Sequence, residues 1–115
     1  MQSCVRPGAE DGTSMFVVLW EFDVKRDSEV RFTFAYGGSG EWARLFRTAA
    51  SFRETRLLRS ISEPLRYMTM DVWESREACE EFMKTHAEAY RELDAVCEEL
   101  TVSERHLSSF DIDAI

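Results

Sequence analysis

The sequence has few cysteines and no long apolar segment. Its three cysteines, Cys4, Cys79 and Cys97, are an odd number, and the last two lie 18 residues apart in one predicted helix. That spacing corresponds to about 27 Å at the standard helical rise, which is too far for a disulfide. We therefore expect reduced thiols and a cytoplasmic setting. No apolar run approaches the roughly 20 residues of a membrane-spanning helix, so no membrane partner is expected.

Basic side chains are scarce in the second half of the chain. Residues 1–66 carry 10 basic and 9 acidic side chains, whereas residues 67–115 carry 4 basic and 13 acidic ones, and the formal net charge is −8. Nucleic acids and anionic membranes attract proteins through positive charge, so neither is expected as a partner. The acidic runs are interpreted as the solvated face of a helix, and no metal site is predicted from them.

A length of 115 residues fits one compact domain and is short for two. Residues 1–14 lack the apolar core of a secretory signal. We interpret residues 1–14 as a flexible leader, residues 15–112 as the single domain, and residues 113–115 as a short tail.

A glycine-rich break, Tyr36-Gly-Gly-Ser-Gly-Glu-Trp42, interrupts a helical segment. A phosphate-binding loop would follow a strand and continue into Lys-Ser/Thr or a further spaced glycine. Here Glu41 follows instead, and a carboxylate at the start of a helix repels phosphate. The break therefore predicts a hinge between two short helices, the first beginning at Glu29 and the second capped by Ser39.

Apolar patterning predicts four strands. Residues 15–24 and 66–73 are apolar on both faces, which is typical of central strands. Residues 52–61 carry many charges, which suits an edge strand. Residues 103–112 predict a last, more polar strand. Its alternating positions are His106, Ser108, Phe110 and Ile112.

A long helix with an apolar stripe, capped by Ser75, is predicted between the last two strands. The resulting order, β-α-β-β-α-β, predicts an α+β, ferredoxin-like antiparallel sheet with the helices on one face. Helices on one face leave the other side of the apolar central strands uncovered. We therefore expect a homodimer, in which a second copy packs on that sheet face.

Three segments together resemble the antibiotic biosynthesis monooxygenase family, over about residues 15–112. They are Phe16-Val-Val-Leu-Trp20-Glu-Phe22, Tyr36-Gly-Gly-Ser-Gly-Glu-Trp42-Ala-Arg-Leu-Phe46, and Arg66-Tyr67-Met-Thr-Met-Asp71-Val-Trp73-Glu74-Ser75 followed by an amphipathic helix. The resemblance implies a dimeric α+β barrel built from ferredoxin-like domains. Some members oxidise phenolic or quinol-type molecules with oxygen and no added cofactor, others cleave haem, and the fold alone does not decide between them.

Haem cleavage in this family relies on an Asn on the first strand and on a Trp and a His on the second helix. The chain contains no Asn, and Phe82 and Glu92 stand where those helix residues would be. Haem cleavage by that triad is therefore disfavoured, and no cofactor is predicted. His86 is the residue that could ligate iron from a different turn of the helix.

Oxygenation without a cofactor needs a base, donors for the resulting anion, and a dry apolar pocket. His86, in the apolar stripe of the long helix, is the first candidate base. A structural role explains this position equally well, as a partly buried core histidine that is hydrogen-bonded to a neighbour. Asp71 is the second candidate, with either a raised pKa among apolar neighbours or an ion pair with Arg66 or a partner chain. His106 is interpreted as an edge-strand residue.

Aromatic side chains offer surface and donors for a flat ligand, although core packing explains each of them as well. The candidate substrate-binding residues are Trp20, Tyr36, Trp42, Tyr67 and Trp73. Two functions stay open. The first is a cofactor-independent monooxygenase for a small aromatic, quinol or polyketide-type substrate. The second is a non-catalytic dimeric domain that binds a small hydrophobic ligand or only assembles.

Overall fold

The computed structural model describes residues 15–112 as one sheet, four α-helices and two short 3-10 helices. The strands are β1 (Met15–Val24), β2 (Phe52–Arg59), β3 (Arg66–Trp73) and β4 (Thr101–Ile112). The helices are α1 (Glu29–Tyr36), α2 (Glu41–Phe46), α3 (Arg76–Thr85) and α4 (Ala87–Cys97). The predicted leader, with Cys4, and the predicted tail lie outside the described residues. No helix within residues 15–112 is both long and apolar enough to cross a membrane.

The four strands form one antiparallel sheet in the order β2-β3-β1-β4. This order confirms the predicted α+β, ferredoxin-like fold class. The two strands that are apolar on both faces are central, where they have neighbours on both sides. The strongly charged β2 lies at an edge, where its charged side chains reach water.

The helices pack on the sheet face that carries large aromatic side chains. Phe22 of β1 contacts Phe32 of α1, with ring centroids 5.3 Å apart. Trp73 of β3 contacts Phe46 of α2 at 5.4 Å and Phe82 of α3 at 5.2 Å. We call the opposite side of the sheet the open face.

The long helix predicted after Ser75 is two helices. Ser75 caps α3 as predicted, because its hydroxyl oxygen accepts the Ala78 N–H at 3.1 Å. The prediction of one continuous helix is wrong, since the backbone of His86 turns to φ −118° and ψ 28° and separates α3 from α4. The hydrogen bonds from His86 N–H to Phe82 and from Tyr90 N–H to His86 persist across the break. The apolar stripe therefore continues from α3 into α4 across the break.

Strand β4 contains a bulge that changes which way its side chains point. Trp20 of β1 pairs with His106, whereas the preceding residue, Leu19, pairs with Ser108, so Leu107 is an extra residue in β4. His106 therefore lies beside Trp20 on the helix side, with ring centroids 5.5 Å apart. The predicted single alternation through His106, Ser108, Phe110 and Ile112 is wrong because the extra residue reverses the faces.

The glycine-rich break separates α1 from α2, as predicted. Gly40, rather than Ser39, precedes α2, and no side chain caps this helix. A Cβ atom on Gly40 would lie 2.3 Å from the carbonyl oxygen of Phe34, so only glycine fits this close approach. The sharp turn brings the rings of Tyr36 and Trp42 to a centroid separation of 6.0 Å.

Candidate functional site

A cavity lies between the helix-covered face of the sheet and helices α1, α2 and α4. The centres of water-sized molecules can occupy about 210 Å³ of it. Its lining residues are Trp20 and Phe22 of β1, Thr55 of β2, Thr69 and Asp71 of β3, Glu104 of β4, Tyr36 of α1, Trp42 and Phe46 of α2, and Tyr90 and Asp94 of α4. Since all four strands contribute to the cavity, its shape depends on the register of the whole sheet.

Asp71 is a carboxylate on the sheet floor of the cavity. It pairs across the strands with Thr55, whose hydroxyl donates to Asp71 Oδ1 at 2.8 Å. Burial raises the pKa of Asp71 to about 6, and the hydrogen bond from Thr55 opposes that increase. The alternative pairing with Arg66 is not seen, because Arg66 donates instead to Asp23 at 2.9 Å. Asp71 is thus a carboxylate that can accept a proton near neutral pH.

Trp42 brings an unused hydrogen-bond donor to the cavity wall. Its side chain is only 6% exposed, and its indole N–H has no hydrogen-bond partner in the described part of the chain. The Tyr36 hydroxyl and the Cys97 thiol lie near enough to interact with the N–H dipole, but neither reaches hydrogen-bonding geometry. A buried donor without a partner costs about 1–3 kcal/mol. A ligand oxygen in the cavity would remove that cost.

Two tyrosines give the cavity further donors. Burial raises the pKa of Tyr36, and burial followed by the charge of Asp94 raises that of Tyr90 to about 12. Both hydroxyls therefore stay protonated at neutral pH. The ring of Tyr90 meets Trp42 edge to face at 4.9 Å, and Tyr36 stacks on Phe32 at 4.3 Å, so both rings have fixed positions in the wall.

Two carboxylates lie at the exposed side of the cavity, which we call the mouth. Asp94 is one helical turn beyond Tyr90 on α4, and Glu104 of β4 pairs with Phe22 of β1. Both side chains are exposed. Partial burial, and then the charges of Asp94 and Glu98, raise the pKa of Glu104. Within residues 15–112, no Lys, Arg or His side chain lines the cavity.

Four of the predicted site residues line the cavity: Trp20, Tyr36, Trp42 and Asp71. Tyr67, Trp73 and His86 do not. Trp73 is fully buried in the aromatic core, and the Tyr67 hydroxyl donates to Glu29 at 2.5 Å. His86 is half-buried at the helix break, where its Nδ1 lies 2.9 Å from the Thr85 hydroxyl.

Several lining residues were not identified as site residues from the sequence. Thr55 and Thr69 are the buried polar residues among those described. A threonine at an inward-facing position of a strand is the sequence feature that could have indicated them. Asp94 and Glu104 had no such signal, because an acidic residue on a helix or edge strand usually faces solvent. Tyr90 belonged to the predicted apolar stripe, but nothing distinguished it from a core residue.

Within residues 15–112, no group of three or more His, Cys, Asp or Glu side chains is arranged to hold a metal ion. Cys79 and Cys97 are buried and are not bridged to each other. The polar groups on the cavity-lining residues are carboxylates, hydroxyls and indole N–H groups, which suit an organic ligand.

The chain was compared with known proteins. The model of the family described as antibiotic biosynthesis monooxygenase matches residues 15–95. The search of curated proteins finds no match.

Solved structures share the fold at low sequence identity. SnoaB, a cofactor-independent oxygenase from Streptomyces nogalater, is similar with a TM-score of 0.63 and 17% identity, over 85% of this chain and 91% of that one. A candidate antibiotic biosynthesis monooxygenase from Caulobacter crescentus has a TM-score of 0.67 and 14% identity, over 96% of this chain and 99% of that one. Another, from Bordetella bronchiseptica, has a TM-score of 0.64 and 18% identity, over 89% and 98% of the two chains.

Proposed function

Since the chain belongs to the antibiotic biosynthesis monooxygenase family, we propose that it is a cofactor-independent monooxygenase that oxidises a small aromatic, quinol or polyketide-type substrate in this cavity. The observation that carries the proposal is the presence, in one aromatic cavity, of a half-buried carboxylate with a raised pKa, Asp71, and an N–H without a full hydrogen bond, that of Trp42. The fold similarity to SnoaB, which is described as a cofactor-independent oxygenase, supports the reaction class.

Asp71 acts as the general base in this proposal. A carboxyl with a pKa of about 6 is mostly ionised at pH 7, yet it accepts a proton more readily than an ordinary aspartate. Thr55 donates to Oδ1 and so orients the carboxylate, which leaves Oδ2 to take the proton. The proton comes from a hydroxyl or an acidic C–H of the substrate.

The indole N–H of Trp42 stabilises the resulting anion. It interacts with Tyr36 and Cys97 without forming a full hydrogen bond to either, so it can donate to a developing oxyanion at little cost. The hydroxyls of Tyr36 and Tyr90 are additional donors in the same cavity. The aromatic walls, including Trp20 and Phe46, reduce competition from water and strengthen these interactions.

The deprotonated substrate then reduces oxygen. One electron passes from the anion to O₂, the two radicals combine to a peroxide at carbon, and loss of water leaves a carbonyl. A CH₂ group becomes C=O, one oxygen atom stays in the product, and the other leaves as water. All four electrons that reduce O₂ come from the substrate, so the chain supplies only a base, donors and a dry site.

Oxygen uptake with a panel of hydroquinones and anthrones tests the proposed function. We expect the wild-type protein to consume oxygen, and Asp71→Asn, which keeps the side-chain shape, to lower the rate by about 100-fold or more. His86→Ala is the matched control and should keep the activity, because His86 does not line the cavity. Circular dichroism of both variants verifies that they are folded.

Two outcomes would contradict this assignment. Saturable binding of these compounds without product formation would show a non-catalytic ligand-binding domain. Loss of turnover in His86→Ala, with turnover retained in Asp71→Asn, would make His86 the base.

A further inference from the structure

The cavity has more negative charge than the proposed reaction uses. Asp71 serves as the base, whereas Asp94 and Glu104 at the mouth have no part in that chemistry. Among residues 15–112, neither Asp94 nor Glu104 makes a hydrogen bond or an ion pair. Unpaired carboxylates at the edge of a ligand cavity are positioned to bind a group on the ligand.

The mouth carboxylates act on one another and on the cavity wall. Among the described residues, the charges that raise the pKa of Glu104 are those of Asp94 and Glu98, and no basic group of these residues offsets them. The charge of Glu104 also reaches Tyr36 and Tyr90 in the wall. The negative field therefore extends into the space that a ligand would occupy.

Three basic side chains on the surrounding elements are engaged elsewhere, and Arg91 of α4 is not among the cavity-lining residues. Arg105 of β4 forms an ion pair with Glu21 on the open face. Arg31 of α1 forms an ion pair with Glu41 at 2.9 Å. Arg47, after α2, donates to a backbone carbonyl, that of Gly38, at 2.8 Å. The protein thus leaves the charge at the mouth for a ligand to neutralise.

The negative charge at the mouth opposes the proposed deprotonation of the substrate, unless the substrate itself carries a compensating positive charge. Deprotonation creates a substrate anion in a cavity whose mouth is already negative, and like charges disfavour that step. A positive group on the same substrate, held at the mouth, would offset the repulsion. The unpartnered N–H of Trp42, on a side chain that is only 6% exposed, meanwhile needs an acceptor oxygen on the ligand.

We propose that the substrate carries a protonated amine, which Asp94 and Glu104 bind at the mouth while its phenolic or enolic oxygen lies toward Trp42. This inference rests on the proposed function, because it takes the cavity to be the substrate site. It narrows the substrate class to amine-bearing aromatic or polyketide-type molecules.

Three probes with the same catechol ring and different charge test the inference. Ethylcatechol is neutral, dopamine is a cation, and dihydrocaffeate is an anion at neutral pH. Titration calorimetry without oxygen, at low ionic strength, measures binding alone. We expect dopamine to bind about fivefold more tightly than ethylcatechol, and dihydrocaffeate to bind more weakly than either. The preference for dopamine should shrink at high salt.

Substitutions of the mouth carboxylates test whether these residues cause the preference for dopamine. The double variant Asp94→Asn with Glu104→Gln should lose the preference for dopamine and keep its affinity for ethylcatechol. The matched control is Glu88→Gln with Glu92→Gln, which changes the net charge equally at exposed positions of α4 outside the cavity. The control should keep the preference.

The outcomes separate the two proposals. Equal affinity of the wild type for dopamine and ethylcatechol, or a preference that survives in the mouth variant, overturns the inference while the proposed function stands. Failure of all three probes to bind overturns both. A dopamine preference that is lost only in the mouth variant supports the inference.

Discussion

Asp23 and Asp71 lie on adjacent central strands, yet their environments change their pKa values in opposite directions. Hydrogen bonds from Arg66 and Ser103 lower the pKa of Asp23. Burial raises the pKa of Asp71, to which the Thr55 hydroxyl is the one side-chain donor among residues 15–112. The difference depends on which face of the sheet each residue occupies, since Asp23 lies on the open face and Asp71 in the cavity. Placement alone therefore gives two residues of the same type opposite pKa shifts.

The raised pKa of Asp71 predicts a pH-dependent stability. A buried carboxyl holds its proton more tightly in the folded state, so its contribution to the free energy of unfolding is largest below the unfolded pKa, 3.8, and decreases as pH rises to about 6. Asp71→Asn cannot titrate. Urea unfolding between pH 4 and 7 should therefore show the variant gaining stability over wild type by roughly 2 kcal/mol as pH rises.

Asp23→Asn provides a control with the opposite sign. The pKa of Asp23 is lowered, so its contribution is present above its unfolded pKa of 3.8 and is lost as pH falls below that value. The Asp23 variant should therefore lose stability relative to wild type as pH rises from below 3.8. A difference between Asp71→Asn and wild type that stays constant from pH 4 to 7 would mean that Asp71 is solvated.

At the level of the elements, the turn between α1 and α2 places two cavity residues. Tyr36 ends α1, Trp42 is the second residue of α2, and three glycines and a serine connect them. The tight turn lets both rings line the same cavity. The glycine-rich loop thus builds the aromatic wall and has no phosphate-binding role in the proposed function.

Gly40→Ala should destabilise this turn. The added Cβ would lie 2.3 Å from the Phe34 carbonyl oxygen and 2.7 Å from that of Ala35, and the backbone cannot easily shift away from both. We expect a loss of about 2 kcal/mol in the free energy of unfolding, measured by urea titration. Ser39→Ala, at the adjacent exposed position, should change stability by less than about 0.5 kcal/mol. Equal stability of the two variants would show that the turn relaxes freely.

The molecule as a whole leaves one sheet face uncovered by its described helices. Exposed apolar side chains on the open face include Phe110, which is 51% exposed, and Leu58, which is 39% exposed. Both lie beside the apolar central strands, Phe110 opposite Val17 and Leu58 opposite Met68. Exposed apolar side chains on a sheet face are typical of an interface.

We expect the protein to be a homodimer through the open face. Static light scattering at micromolar concentration should give twice the chain mass of 13.4 kDa. Phe110→Glu should yield a monomer, because it places a charge in the interface. Val30→Glu is the control, since Val30 is 84% exposed on α1, away from that face. A wild-type monomer, or a dimer disrupted only by Val30→Glu, would contradict the expectation.

The predicted fold followed from patterns along the chain, and its errors have local causes. The order of strands and helices was readable because burial on one or both faces leaves a periodic pattern in each segment. The break at His86 could not be predicted from the sequence, because the apolar stripe passes through it unchanged. The bulge at Leu107 could not be predicted either, since nothing in the sequence distinguishes the extra residue from the other residues of the strand.

The candidate site could be predicted only in part. Asp71, Trp20, Tyr36 and Trp42 were candidates because polar or aromatic groups stood out at inward positions, and the structure places all four in the cavity wall. Tyr67 and Trp73 matched the same criteria, but they pack in the core or bond to a helix residue. A one-dimensional pattern cannot separate a cavity wall from a filled core, because both are inward-facing.

Strand order, central and edge positions, and family resemblance were all available from the sequence, because each is encoded in short segments or in their order. The contact partners of individual side chains were not available from the sequence. Asp71 meets Thr55 through strand pairing and shares a cavity with Trp42 through helix packing, and Asp94 of α4 and Glu104 of β4 line the same cavity. These neighbours are distant in sequence, so the charge and the donors of the cavity come from tertiary contacts.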